Sequence, residues 1–119
     1  DAGAAYVFVR SGSTWSQQQK INASDFLPNV LFGWSVAISG ERLVAGQKWD
    51  DDDDLNRAGS AYVFERSGTT WTQQSELQAD DRAASEEFGT SVGISGDNVV
   101  VGCPSDSDDN FNAGAAYAY

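Results

Sequence analysis

No histidine occurs anywhere in these 119 residues. That excludes Ser-His-Asp and Cys-His nucleophiles and every metal site built on imidazole. The single cysteine, Cys103, has no partner for an internal disulfide. It lies in an apolar β-rich run and reads as a small buried hydrophobe ahead of a reactive thiol. Basic residues are scarce: 7 Lys and Arg stand against 18 Asp and Glu, giving a net charge of −11. Such a field repels nucleic acid and anionic membranes and favours cations, basic partners or a salty medium. No run approaches the roughly 18 apolar residues of a membrane span, so no membrane insertion is expected. The chain opens Asp-Ala-Gly with neither Met nor a visible signal peptide, which fits a removed leader or an excerpt of a longer protein. Asn22-Ala23-Ser24 matches the glycosylation sequon, a triplet too common by chance to argue secretion alone.

What is present is a duplication. Phe32 to Gly46, FGWSVAISGERLVAG, returns as Phe88 to Gly102, FGTSVGISGDNVVVG. Tyr6 and Tyr62, Trp15 and Trp71, Phe32 and Phe88, and Gly46 and Gly102 are all 56 residues apart. A fixed period of this size marks a repeat architecture. Within each copy, Ser39-Gly40-Glu41 or Ser95-Gly96-Asp97 separates two short β-branched runs, the pattern of a tight hairpin turning on glycine. A hydrophobic content of 40% suffices for the core of at most one domain.

Read in order, GAAYVFVR (3–10) alternates Ala5, Val7 and Val9 with Tyr6, Phe8 and Arg10, and predicts a strand. TWSQQQKI (14–21) follows a Ser-Gly turn, and its Gln17, Gln18, Gln19 and Lys20 suit a water-facing edge strand. The central hairpin predicts strands near 34–39 and 42–46. GSAYVFER and TWTQQSEL then repeat the first two strands, the second hairpin follows, and GAAYAY begins the cycle a third time. The expectation is nine strands and no helix: strands of type 3 and 4, then 1 to 4, then 1 to 3. One face of the hairpins is bulky and the other small, which suits sheets stacked face to face. That predicts antiparallel β-propeller blades, with a β-sandwich as the alternative. Val36, Ile38, Val44, Val92, Ile94, Val99 and Val101 are the expected core.

The FG pairs (Phe32-Gly33 and Phe88-Gly89), Gly102-Cys103-Pro104 and the strand Gly59 to Phe64 together resemble the FG-GAP repeat of integrin alpha-subunit propellers. Two such repeats would span 3–58 and 59–113, with 114–119 starting a third. The first copy departs by reading Gly46-Gln47-Lys48 where GAP is expected. The resemblance implies a seven-bladed propeller, extracellular or at the cell surface, used for protein recognition and without enzymatic activity of its own. Many repeats of the family hold calcium in an Asp-rich loop between the first two strands. Ser39-Gly40-Glu41 and Ser95-Gly96-Asp97 are too short to wrap an ion, so that site does not carry over.

Acidic residues concentrate instead between the second and third strands of each repeat. Asp106, Asp108, Asn110 and Asn112 alternate as calcium ligands often do, and Asp50, Asp52 and Asp54 approximate that spacing. A solvated acidic loop is the competing reading, and catalytic use of these carboxylates a distant third. Trp15 and Trp71, at equivalent places, are expected to pack on neighbouring blades. Trp34 and Trp49 have no tryptophan counterpart and are either recognition anchors or ordinary packing. Three functions follow: a non-enzymatic extracellular binding or adhesion module, a structural subunit that joins further copies of itself into a ring or fibre, or, least supported, an enzyme. The expected partners are therefore another protein, further copies in a homo-oligomer, or the rest of a longer chain.

Overall fold

A computed structural model describes residues 3–23, 30–49, 58–79, 86–105 and 114–119. Among them are nine strands and no helix: β1 (Ala5–Ser11), β2 (Thr14–Ile21), β3 (Phe32–Ser39), β4 (Arg42–Gln47), β5 (Ser60–Ser67), β6 (Thr70–Leu77), β7 (Ser91–Ser95), β8 (Asn98–Cys103) and β9 (Ala115–Ala118). They form three antiparallel sheets, β1-β2, β3-β4-β5-β6 and β7-β8-β9. The expected hairpins, strand types and all-β class are therefore present. The three sheets stack without closing into a ring.

Local chemistry repeats with the sequence. Gly40 and Gly96 take φ of 57° and 55° in the two hairpin turns, where any other residue would be strained. A register shift falls between Val7 and Phe8 and again between Val63 and Phe64, so the same bulge adds twist to each outer hairpin. The FG element is the junction between sheets. Gly59 forms a parallel bridge with Phe88, as Gly3 does with Phe32. A Cβ on Gly59 would lie 1.9 Å from the Phe88 carbonyl oxygen, which is why glycine recurs there. Phe88, almost fully buried, plugs the seam.

Residues directly opposite on adjacent strands share a face. Ile38, Leu43 and Phe64 are in register, as are Val36, Ala45 and Tyr62, and they make the bulky face of the four-stranded sheet. Ala37, Val44 and Val63 make its small face. The bulky face packs Leu43, Ala45, Tyr62, Phe64 and Trp71 against Ala5, Val7 and Ile21 of the first sheet. The small face packs Val44 and Ala61 against Phe88, Val99, Val101 and Cys103 of the third. Each sheet thus lays its bulky face on its predecessor's small one, the stacking expected of propeller blades.

Two expected core residues are not buried. Val36 is 55% exposed and Ile38 56%. The first sheet has only two strands, which cover β4, β5 and β6 but leave β3 open beside β1. Val44, Val99 and Val101 are buried as expected, and Val92 and Ile94 are partly buried against the second cluster. Trp71 is buried against the first sheet, whereas Trp15, its equivalent, is 65% exposed with no sheet over it among the described residues. The glutamines of β2 do more than face water. Trp71 Nε1 donates to Gln18 Oε1 at 2.7 Å, and Gln19 both accepts from Trp71 N at 2.7 Å and donates to its carbonyl at 3.0 Å.

Candidate functional site

The side chains that the repeat does not explain collect where the second sheet meets the junction into the third. Trp34 lies near the start of β3, and Lys48 and Trp49 follow the end of its antiparallel partner β4. Glu87 precedes the FG pair leading to β7. Lys48 Nζ sits 4.4 Å from the Trp34 ring centroid and 5.6 Å from that of Trp49. It also lies 3.8 Å from Glu87 Oε1, which accepts a hydrogen bond from Trp49 Nε1 at 3.3 Å. One ammonium is thus held by two indole faces and one carboxylate. Such contacts strengthen as water is excluded, and the Lys48 side chain is only 18% exposed. Trp34 nevertheless keeps 52% of its surface open to solvent.

Backbone geometry places the carboxylate. Glu87 adopts a left-handed φ of 61°, uncommon for a residue with a side chain. Leu31, 56 residues earlier, adopts 53°, so the conformation belongs to the repeat and not to a function. In both copies it closes a turn: Trp34 N donates to the Leu31 carbonyl at 3.2 Å and Thr90 N to that of Glu87 at 3.3 Å. What is particular to the second copy is a carboxylate at that place, aimed at Lys48.

The sequence singled out Trp34 and Trp49, and the structure brings both to one cation. It missed Lys48 and Glu87. The available signal was Lys48 standing where the first repeat abandons GAP, between two unrepeated tryptophans. The proposed calcium ligands Asp50, Asp52, Asp54, Asp106, Asp108, Asn110 and Asn112 lie outside the described residues. Among the described residues, no group of three or more Cys, Asp and Glu is placed to hold a metal ion. The acids of the hairpin turns have other partners. Glu41 receives a fork of hydrogen bonds from Arg66, at 2.8 Å from Nε and 2.5 Å from Nη2. This pairing holds the Glu41 carboxyl below its ordinary pKa and raises that of Arg66. Asp97 pairs with Arg42 of the neighbouring sheet.

A second polar group runs from buried Gln47, Ser60 and Tyr62 out to the exposed carboxylate of Glu76. Glu76 accepts hydrogen bonds from Ser60 Oγ at 3.2 Å and Tyr62 OH at 3.3 Å, and Gln47 donates to the same phenol at 3.4 Å. A serine beside a carboxylate invites a catalytic reading, but Ser60 and Tyr62 are fully buried and no imidazole stands between. Both hydroxyls of β5 donate to Glu76 of β6, and Gln47 of β4 donates to the phenol, so the group links three adjacent strands. Cys103, equivalent to Gln47, is buried and in no disulfide, and its thiol donates to the Glu86 carbonyl at 3.2 Å.

The sequence profile of the FG-GAP repeat matches residues 15–64 and again 71–119. No curated protein matches the chain. The two matched segments take in both hairpins, both FG junctions and the strands that follow them, which is most of the chain. The protein belongs to the FG-GAP repeat family.

Proposed function

We propose that this chain is a non-enzymatic recognition and adhesion module of the extracellular or cell-surface kind, built from β-propeller blades. The observation that carries the reading is Trp34, half exposed and backed by Lys48, which Glu87 in turn holds. A pre-ordered tryptophan offers a large contact area with little entropy left to lose, which is what makes this residue common at binding hot spots. The acidic run that begins at Asp50 follows Trp49 directly, so a ligand on Trp34 would have basic or cation-bridged character. Labelled protein is expected to bind the surface of the cells that produce it, and Trp34→Ala to reduce binding at least tenfold without altering the fold. Equal binding by the variant would remove Trp34 from the site. An antibody that finds the protein only inside intact cells would end the adhesion reading.

A structural subunit assembled from further copies is the second reading. It is favoured by the uncovered apolar residues Tyr6, Phe8, Val36 and Ile38 around one groove.

A further inference from the structure

Leaving aside Trp34 and Tyr119, whose ring rests edge-on against Phe88, the exposed large hydrophobics among the described residues lie in two places. Tyr6, Phe8, Trp15, Val36 and Ile38 are exposed at the first sheet and beside it. Val100 is exposed at the far end of the stack, on the face of β8 turned away from the four-stranded sheet. The molecule itself contains a template for covering both. At the second seam, Val44 of β4 is fully buried under Val92 and Ile94 of the next sheet. Val44 is the equivalent of Val100, and Val92 and Ile94 are the equivalents of Val36 and Ile38, each 56 residues apart. The two exposed surfaces are therefore the two halves of one contact that the chain already makes once.

The strand edges agree with the faces. Among the described residues β1 pairs with β2 alone, and its other edge is open where β5, its equivalent, receives β4. At the other end β8 pairs with β9, a strand of only four residues. The β9 sequence Gly114-Ala115-Ala116-Tyr117 repeats Gly3-Ala4-Ala5-Tyr6.

We propose that a second copy of this chain completes the first sheet by strand exchange: β1 of one copy displaces β9 and pairs with β8 of another. This rests on the blade architecture and specifies the partner and register of the assembly reading. The register follows from β9 itself. Cys103 now faces Ala115 and Val101 faces Tyr117; after exchange they face the incoming Ala4 and Tyr6. In this register Phe8 takes the place of Tyr119 opposite Val99, and the longer β1 adds Val9 opposite Asn98, as Phe64 and Glu65 stand opposite Leu43 and Arg42. Six rungs replace the present five, the fifth being Val99 and Tyr119, which exchange backbone hydrogen bonds at 2.8 and 2.7 Å.

The resulting blade, β7-β8 of one copy with β1-β2 of the next, has four strands. Tyr6 enters the place of Tyr117 against Phe88, where the ring centroids are now 5.5 Å apart. Trp15 reaches β6 of the first copy as Trp71 reaches β2. Val36 and Ile38 of the incoming copy are covered by Val100 and its neighbours. Of the nine strands among the described residues, all but β9 enter four-stranded blades. The contact is head to tail, so it makes a ring if the rotation closes and a fibre if it does not.

The test combines mass with a cross-link. At micromolar concentration, light scattering should find multiples of the 12.7 kDa chain. Under oxidation, Ala4→Cys should join Cys103 of another copy, giving covalent oligomers that Cys103→Ser abolishes. Ala115→Cys should instead bond Cys103 within one chain, lock β9 in place and leave a monomer until reduced. A monomer for the unmodified chain would overturn the exchange and the assembly reading together, leaving the Trp34 site standing. Oligomers in which Ala4→Cys forms no cross-link would overturn the exchange alone.

Discussion

Ile38 and Ile94 hold the same place in two copies of one hairpin, yet Ile38 is 56% exposed while Ile94 packs against the second core cluster. Nothing local separates them. Ile94 lies over β3 and β4 of a complete sheet; the sheet that covers the rest of the face around Ile38 has two strands. Ile94→Ala is therefore expected to cost about 1–3 kcal/mol, below the full range for a completely buried isoleucine. Ile38→Ala should change the stability of the dissociated chain by less than about 0.5 kcal/mol. Urea denaturation of both variants at a concentration below assembly gives the comparison. Equal losses would show that β3 is covered after all.

Much of this fold was legible because the chain states it twice. The hairpins, the strand types and the alternation of Ala5 and Val7 with Tyr6 and Phe8 all follow from periods of 2 and 56. Burial at Val36 and Ile38 was not legible, since it depends on how many strands stand opposite and not on their own pattern. The candidate site was half legible. Two unrepeated tryptophans marked the place, but Glu87 reaches Lys48 through a left-handed backbone that the sequence around the FG pair does not announce.

Trp71 and Gln19 form the strongest polar link between the first two sheets. Gln19 satisfies both the N–H and the carbonyl of Trp71, groups that β6 leaves unpaired at that point of its outer edge. Removing both bonds with Gln19→Ala should cost about 1–3 kcal/mol, because the partners are part-buried. Trp71→Ala should cost about 3–5 kcal/mol, by loss of a buried ring. Trp15→Ala, at the exposed equivalent, should be close to neutral in the dissociated chain. Thermal melts of the three variants would reverse this order if β2 did not pack on β6.

Glu41 supplies a pH dependence whose sign is fixed. Its carboxyl is held below the ordinary value chiefly by hydrogen bonds from Arg66. A depressed carboxyl contributes stability that is present above its unfolded pKa and lost as pH falls through the folded one. Glu41→Gln should therefore lower the melting temperature slightly at neutral pH and make no difference in strong acid. The pair is open to solvent, so added salt should shrink the neutral-pH difference as well. A difference that persisted below pH 2 would mean that Glu41 acts through packing.

Calcium gives the last expectation. Asp106, Asp108, Asn110 and Asn112 alternate along one stretch of the sequence, and Asp50, Asp52 and Asp54 along its counterpart, in a chain carrying −11. Carboxylates this close repel one another unless a cation is shared, and Ca²⁺ accepts six to eight such oxygens. An ion bound only to the folded chain raises its stability by about 2.7 kcal/mol at a hundred times the dissociation constant. The melting temperature should then rise with millimolar calcium and fall back with a chelator. Asp106→Asn with Asp108→Asn should remove most of the rise, and replacing Asp50, Asp52 and Asp54 the remainder. Magnesium, which holds its water more tightly and prefers fewer ligands, should do much less. Equal shifts from calcium and magnesium would indicate general screening of the acidic loops, and identical melts with and without calcium would leave both loops as solvated surface.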